Sequence, residues 1–299
     1  MDPWYTLVIP TRDSAGWIGP LIEHYQAQGV TPTLFLDSRT RDDTGAIARR
    51  AGVPIVDIAP FAFTESIVAV TRDVVRTPWA FFVNDDEIPS DRLFQRLRGP
   101  EPPAAVQSVA VPRRWAWHEP GQPLRYARTG LWQDRAGHTG ADHHWRLFRP
   151  DRVTFVARMH SDGFLIDRWS RMAPEAYLVH FEWVLRNRAQ RAAKVRRYDR
   201  QRYGYGRFFA NMYLPEDQPP GAIDYVPFET TAYDRLAECF FAARAAAPSD
   251  APWTLGERWA RLRHELVHRL GLEGLKAKSK DPAGLTPRLE AEVADPVTS

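Results

Sequence analysis

The chain has 299 residues, a formal net charge of +3 and a single cysteine. Hydrophobic residues make up 44% and charged residues 26%, a globular composition that excludes a collagen, a coiled coil and a wholly disordered chain. Cys239 alone closes no internal bridge, which excludes a disulfide-framed secreted module, and no apolar run approaches the ~20 residues that span a bilayer. Met1-Asp2-Pro3-Trp4 opens without a basic stretch leading into an apolar one, so no signal peptide and a cytoplasmic location are expected. The small net charge is unevenly placed. Residues 186–207 hold nine basic residues and one acidic, a net +8, and the rest of the chain is therefore acidic at −5.

In chain order, Thr6–Ile9 is a short apolar run that predicts a buried strand. A helix capped by Ser14 follows, with Ile18, Leu21, Ile22 and Tyr25 at helical spacing and Gly29 at its end. Thr33–Leu36 predicts a second strand ending at Asp37. A helix over 44–51 follows, then a third strand over 54–58 and a helix over 64–75. A fourth strand over 79–83 runs into Asn84-Asp85-Asp86-Glu87. Strand and helix alternating four times predicts a parallel, doubly wound sheet with helices on both faces. Ligands of such sheets sit at the carboxyl ends of the strands. That directs attention to Arg12, Asp13, Asp37 and the acidic run 84–87.

From Val106 the pattern changes. A weakly alternating segment runs over 106–111, an aromatic and basic one over 113–118, and long loops are expected over 119–144. Strands are predicted over 145–149 and 153–156, one long helix over 181–203, a loop over 204–228 and helices over 230–246 and 255–270. The polar end of the chain predicts disorder.

Carboxylates where a buried strand meets a loop suit a hard cation, Mg²⁺ or Mn²⁺, whose remaining positions go to substrate phosphates. Such a cation neutralises charge growing on a departing nucleoside diphosphate. The plainer account is an acidic turn in which Asp85 or Asp91 caps the next helix.

Three segments together carry a resemblance to glycosyltransferase family 2, of the cell-surface glycan type. "LVIPTRDSAGWIGPLIEHYQAQGV" is similar to its first strand and helix. "LFLDSRTRDDTGAIARRAG" is similar to its Asp-x-x-Ser-x-Asp-x-Thr stretch, and "WAFFVNDDEIP" to the strand ending in its Asp-x-Asp metal motif. The resemblance implies the α/β GT-A fold: a Rossmann-like, mostly parallel sheet with helices on both faces, followed here by a C-terminal helical extension. Residues 1–110 would bind the nucleotide sugar and 111–248 the acceptor. Residues 249–275 would form an amphipathic helix and 276–299 a disordered tail.

The resemblance also implies roles. Pro10, Arg12 and Asp13 would line the nucleotide pocket, Asp37 would hydrogen-bond the base, and Arg72 would lie near the nucleotide. Asn84 and Asp86 align with the two acids of the metal motif. The first is Asn here, which lowers the site charge, and Asp85 is placed to compensate. "WRLFRPDRVTFVARMHSDGFL" is similar to a strand pair followed by Val-His-Glu, which makes His160 a metal ligand or phosphate contact. A buried, hydrogen-bonded core histidine is the alternative. Ser161 stands where the family has Glu, so Asp162 is the first choice of base for the acceptor hydroxyl, with Glu119 and Asp142 in reserve. "HFEWVLRNRAQRAAKVRRYDRQRY" is similar to the family's His followed by a Lys-x-x-Arg-Tyr helix. Lys194 and Arg197 there would clamp a diphosphate or an anionic acceptor. A solvated, salt-bridged helix face is the alternative.

The activity implied is a metal-dependent, inverting sugar transfer from a nucleotide-diphosphate donor to a glycan or lipid-linked acceptor. Residues 255–270 would touch the membrane surface or dock on the catalytic domain. Nucleic-acid binding lacks a motif. Trp115, Trp117, Trp132 and Trp145 are either core or sugar-stacking residues. His138, His143 and His144 match no structural zinc spacing. A GT-A-like module without catalysis is the second reading. A nucleotidyltransferase is the third, set back by a Gly-poor loop after the first strand.

Overall fold

The apolar runs of the first half fold as their order dictates. The computed structural model describes residues 3–59, 64–128, 142–156, 163–165, 167–201 and 205–244. The first half runs β1 (Tyr5–Thr11), α1 (Ile18–Ala27), β2 (Thr33–Asp37), α2 (Thr44–Arg50) and β3 (Ile55–Ile58). It continues with α3 (Thr71–Val74), β4 (Trp79–Phe82), β5 (Glu87–Pro89) and α4 (Asp91–Arg98). Strands β3, β2, β1 and β4 lie side by side and parallel. Alternate residues of β1 enter opposite cores. Leu7 and Ile9 pack with Ile18, Leu21, Ile22 and Ala48 of α1 and α2, whereas Val8 packs with Phe35, Ile67, Val68 and Val75. Helical segments therefore cover both faces.

Two predicted helices differ in detail. Ser14 does not cap α1 through its side chain. Its Oγ lies 2.5 Å from Asp85 Oδ2 and donates to the Arg12 carbonyl, while its own carbonyl accepts from Trp17 and Ile18. The helix over 64–75 becomes two 3-10 turns, Thr64–Ser66 and Val68–Val70, before α3. The β-branched run Ile67-Val68 and Val70-Thr71 is poor in helix propensity, and Thr71 Oγ1 donates back to the Val68 carbonyl at 2.6 Å.

The second half adds β6 (Ser108–Trp117), β7 (Arg125–Ala127), β8 (Asp142–Phe148), β9 (Thr154–Phe155), β10 (Phe164–Leu165), β11 (Trp169–Arg171) and β12 (Leu178–His180). Strand β8 inserts antiparallel between β4 and β6. Strand β12 lies between β5 and β6, antiparallel to the first and parallel to the second. Four parallel strands in the order 3-2-1-4, continued through one antiparallel strand, make this a Rossmann-like sheet of GT-A type. Part of the segment read as loop is strand, because β6 offers β7 and β8 an edge each.

The predicted helix over 181–203 is broken. It forms α5 (Glu182–Leu185) and α6 (Arg188–Gln201), with Arg186 extended between them. Asn187 and Gln190 exchange hydrogen bonds: the Gln190 N–H donates to Asn187 Oδ1 at 2.9 Å, and the Asn187 N–H donates to Gln190 Oε1 at 2.8 Å. This reciprocal capping box starts a new helix inside the basic segment.

Residues 205–213, read as loop, form α7 (Tyr205–Tyr213). Phe209, Met212 and Tyr213 recur at helical spacing and close a third core with Trp115, Trp183, Val195 and Tyr198. Trp115 is thus core. Strand β13 (Tyr225–Pro227) and helix α8 (Asp234–Ala243) complete the described residues. Among these, no helix is long and apolar enough to cross a membrane.

Helix α7 approaches α6 closely at Gly206, where an added Cβ would overlap the Val195 carbonyl oxygen and the Asp199 carboxylate. Gly206→Ala is expected to cost about 1–3 kcal/mol, seen as a lower urea midpoint at unchanged slope.

Candidate active site

Strand β4 is fully buried and delivers Asn84, Asp85 and Asp86 to the carboxyl edge of the sheet. The turn is closed by the Glu87 N–H, which donates to the Asn84 carbonyl at 3.0 Å. Glu87 itself is fully buried. Its Oε2 accepts the Asn84 N–H at 3.1 Å, and its Oε1 accepts from Arg113 of β6 at 3.1 Å and Arg146 of β8 at 2.7 Å. Burial opposes ionisation of Glu87, but Arg146 and Arg113 outweigh it and bring the carboxyl down to about 2. Glu87 therefore anchors the acidic turn to the second half of the sheet.

The neighbouring carboxylates point to different partners. Asp85 Oδ2 lies 2.8 Å from Thr11 Oγ1 and 2.5 Å from Ser14 Oγ, while Trp17 Nε1 donates to the Asp85 carbonyl. Burial, and then the charge of Asp86, push the Asp85 carboxyl up to about 6. Asp86 Oδ2 instead lies 3.5 Å from His180 Nε2 and 3.4 Å from Arg186 Nη1. His180 ends β12, and the following Phe181 N–H donates to the Asp86 carbonyl at 2.8 Å. Glu182 opens α5, fully buried, and pairs with Arg186 and with Lys194 Nζ at 3.0 Å.

The charges of this cluster nearly cancel. Burial, and then the positive field of Arg113, hold the His180 imidazole below its ordinary value, which keeps it neutral at neutral pH. Burial disfavours charge on Asp86, but His180, Arg186 and Lys194 more than compensate and keep its carboxyl well below the carboxylate range. With His180 neutral, the two permanent cations supply the lasting part of that effect.

Asp86, His180 and Glu182 each present a ligand atom within 4.8 Å of the others. Three buried polar atoms here have no hydrogen-bond partner among the described residues: Asn84 Oδ1, His180 Nδ1 and Glu182 Oε1. Buried acceptors without partners are costly, and a cation repays that cost. Two carboxylates and an imidazole fit Mn²⁺ better than Mg²⁺, which prefers oxygen alone. The donor set thus fits a divalent cation.

The fold brings Asn84, Asp85, Asp86 and Lys194 into or beside this cluster. Pro10 is buried in β1, and Asp13 takes a left-handed conformation (φ 50°) as it accepts the Arg41 N–H at 2.8 Å. Arg12 Nε lies 3.8 Å from Asp13 Oδ2. Asp37 is fully buried at the end of β2 and accepts from Arg39 Nε at 3.1 Å and Nη2 at 2.7 Å. Arg72 stacks over Phe155, 4.8 Å from the ring centre. Arg197 lies over Tyr198 at 5.8 Å. Glu119 follows β6 and accepts from Trp117 Nε1 and Arg125 Nη2, each at 2.9 Å. Asp142 opens β8 in register with Arg113. His160, Asp162 and the segments 249–275 and 276–299 lie outside the described residues. Neither Asp85 nor Asp91 caps α4; Ser90 does, its Oγ accepting the Leu93 N–H at 3.2 Å.

The sequence places Glu87 only within the acidic run suited to a cation, gives no role to Glu182 or Arg186, and marks His180 only as the start of the basic helix. The available signal was a His-x-Glu at the end of an apolar strand, directly before a basic helix.

No family model and no curated protein matches the chain. Among solved structures, it is similar to glucosyl-3-phosphoglycerate synthase from Mycobacterium tuberculosis in complex with Mn²⁺, uridine diphosphate and glucosyl-3-phosphoglycerate. The identity is 14% and the TM-score 0.30, over 38% of this chain and 44% of that one. It is similar to S. aureus TarS 1–349 in complex with UDP-GlcNAc at 12% identity and a TM-score of 0.39, over 58% of this chain and 57% of that one. HddC from Yersinia pseudotuberculosis is similar at 12% identity and a TM-score of 0.35, over 59% of this chain and 93% of that one. The chain spans about half the length of the first two.

Proposed function

We propose that the chain is a metal-dependent glycosyltransferase that moves a sugar from a nucleotide diphosphate to a hydroxyl acceptor with inversion. The observation that carries this reading is the buried Asp86–His180–Glu182 group at the carboxyl edge of the parallel sheet. These three residues would hold the cation, Mn²⁺ by preference. When bound, it supplies positive charge for the departing diphosphate. Lys194 and Arg186 border the same site and add fixed positive charge. Pro10, Arg12, Asp13, Asp37 and Arg72 are the proposed nucleotide contacts, with Asp85 and Arg197 beside them. Asp162 is the proposed base that takes the acceptor proton, and Glu119 and Asp142 follow it. His160 is a proposed additional ligand. A glycan or lipid-linked acceptor, a cytoplasmic location and a membrane contact through 255–270 belong to the same proposal.

The test is calorimetric titration with uridine and guanosine diphosphates, with and without Mn²⁺, alongside a donor hydrolysis assay. Mn²⁺-dependent nucleotide binding with turnover supports the reading; its absence sinks it. His180→Ala is expected to weaken Mn²⁺ binding about 10–100-fold, measured by titration of the metal alone. A binding module without catalysis is the second reading, favoured by Asn84 and by the cations already paired to Asp86 and Glu182. Tight nucleotide binding with no turnover selects it.

A further inference from the structure

We propose that Arg186 is the resident counter-cation of the acidic pocket, and that a divalent cation enters by displacing its guanidinium from Asp86. This rests on the metal reading above and adds the group that must give way.

Four observations carry it. The first is charge. Arg186 Nη1 stands 3.4 Å from Asp86 Oδ2, the same oxygen that faces His180 Nε2, so the guanidinium lies against a ligand atom of the candidate metal group. A divalent cation and a guanidinium cannot share that oxygen without strong repulsion in a buried site. The second is unequal hold. Arg186 Nη1 pairs with Glu182 Oε2, whereas its contact to Asp86 Oδ2 is long at 3.4 Å. Glu182 also has Lys194 Nζ at 3.0 Å, so it keeps a permanent cation if Arg186 moves. The third is access. The Arg186 side chain is 22% exposed, while those of Asp86 and Glu182 are 8% and 0% exposed. Among these charged side chains Arg186 is the most exposed, with Lys194 next at 17%. The fourth is the backbone. Arg186 is extended in the break between α5 and α6, and its carbonyl accepts from Arg191 Nε at 3.0 Å and Arg244 Nη2 at 3.3 Å. The main chain is tied, so the exchange is a side-chain movement.

The displaced fork would stay beside the acidic cluster, because the carbonyl of Arg186 is held by Arg191 and Arg244. A planar guanidinium there is suited to two-pronged contact with a phosphate. One movement would thus open the metal site and present a donor to the nucleotide diphosphate, which makes metal and diphosphate bind with positive coupling through Arg186.

The test is titration of the full chain with Mn²⁺ alone, then with inorganic pyrophosphate in the presence and absence of Mn²⁺. Arg186→Met and Arg186→Gln are compared with the unaltered chain and with Asp86→Asn. Arg186→Gln keeps a donor to Glu182 without the charge, which guards against loss of folding, and a cooperative thermal transition checks each variant. Both Arg186 variants are expected to bind Mn²⁺ about tenfold tighter or more, a change of about 1.4 kcal/mol, and Asp86→Asn to lose it. In the unaltered chain Mn²⁺ should tighten pyrophosphate binding, and this coupling should disappear in Arg186→Gln. Unchanged or weaker Mn²⁺ binding in folded Arg186→Gln overturns the proposal, because a residue that merely scaffolds the pocket gives that result. If neither the unaltered chain nor any Arg186 variant takes Mn²⁺, the metal reading itself fails, a result distinct from the failure of Arg186 alone.

Discussion

Replacing Asp86 by Ala is expected to reduce donor turnover by about 10³-fold or more and to remove its dependence on Mn²⁺. Asp86 is the one carboxylate of the acidic turn that faces both His180 and Arg186, whereas Asp85 is committed to Thr11 and Ser14, and Glu87 to two arginines. The variant also strands Arg186, which then depends on Glu182 alone. Asp86→Asn keeps the shape and removes only the charge, so it separates the two effects. Steady-state hydrolysis of a nucleotide sugar across a Mn²⁺ series checks both. Full activity in either variant eliminates the assigned role. The parallel change Asp85→Asn is expected to act mainly on the loop after β1, with a smaller loss of metal dependence.

The second large effect is on folding. Glu87→Ala is expected to destabilise the protein by about 3–5 kcal/mol. The variant leaves Arg113 and Arg146 buried without their shared carboxylate. It also removes the acceptor for the Asn84 N–H, so the acidic turn loses its internal brace. Unfolding in urea, followed by tryptophan fluorescence, measures this as a lower midpoint. A midpoint equal to that of the unaltered chain means that the triad contributes nothing. Glu87→Gln keeps the shape but also removes the charge that Arg113 and Arg146 share, so it should lower the midpoint as well, and because the same brace aims Asp86 it should weaken Mn²⁺ binding.

The fold was most legible where one physical signal dominated. The strands of the first half are apolar runs bounded by turn residues, and β1 to β4 lie where those runs predict. The position of the acidic turn was legible for the same reason, at the carboxyl end of a buried strand, but the structural bonding of Asp85 to Thr11 and Ser14 and of Glu87 to Arg113 and Arg146 was not. Secondary structure was less legible where side chains compete with the backbone ladder. Asn187 and Gln190 cut the basic helix in two, a capping signal hidden inside a run otherwise rich in helix formers. The partners of Asp86 were hidden by distance along the chain. His180 and Glu182 approach it only because β12 lies beside β5, a pairing across 90 residues that periodicity does not encode. Arg186 and Lys194 were masked by company. Seven other basic residues surround them in sequence, among them Arg191, which is fully buried but pairs with Glu216, and nothing in composition separates these from the two beside Asp86 and Glu182.

The placement of β12 has a consequence for the order in which the molecule can be built. Its residues 178–180 pair with 87–89 on one side and with 113–115 on the other. During synthesis the acidic turn leaves the ribosome roughly 90 residues before the strand that fixes it. At a synthesis rate of about 5–20 residues per second, that gap lasts on the order of 5–20 seconds. Arg113 and Arg146 emerge within that interval, but through all of it Asp86 carries its charge without His180 or Arg186. Closure of the pocket is therefore a late event in the life of the nascent chain, and it brings together both halves of the sequence in one step.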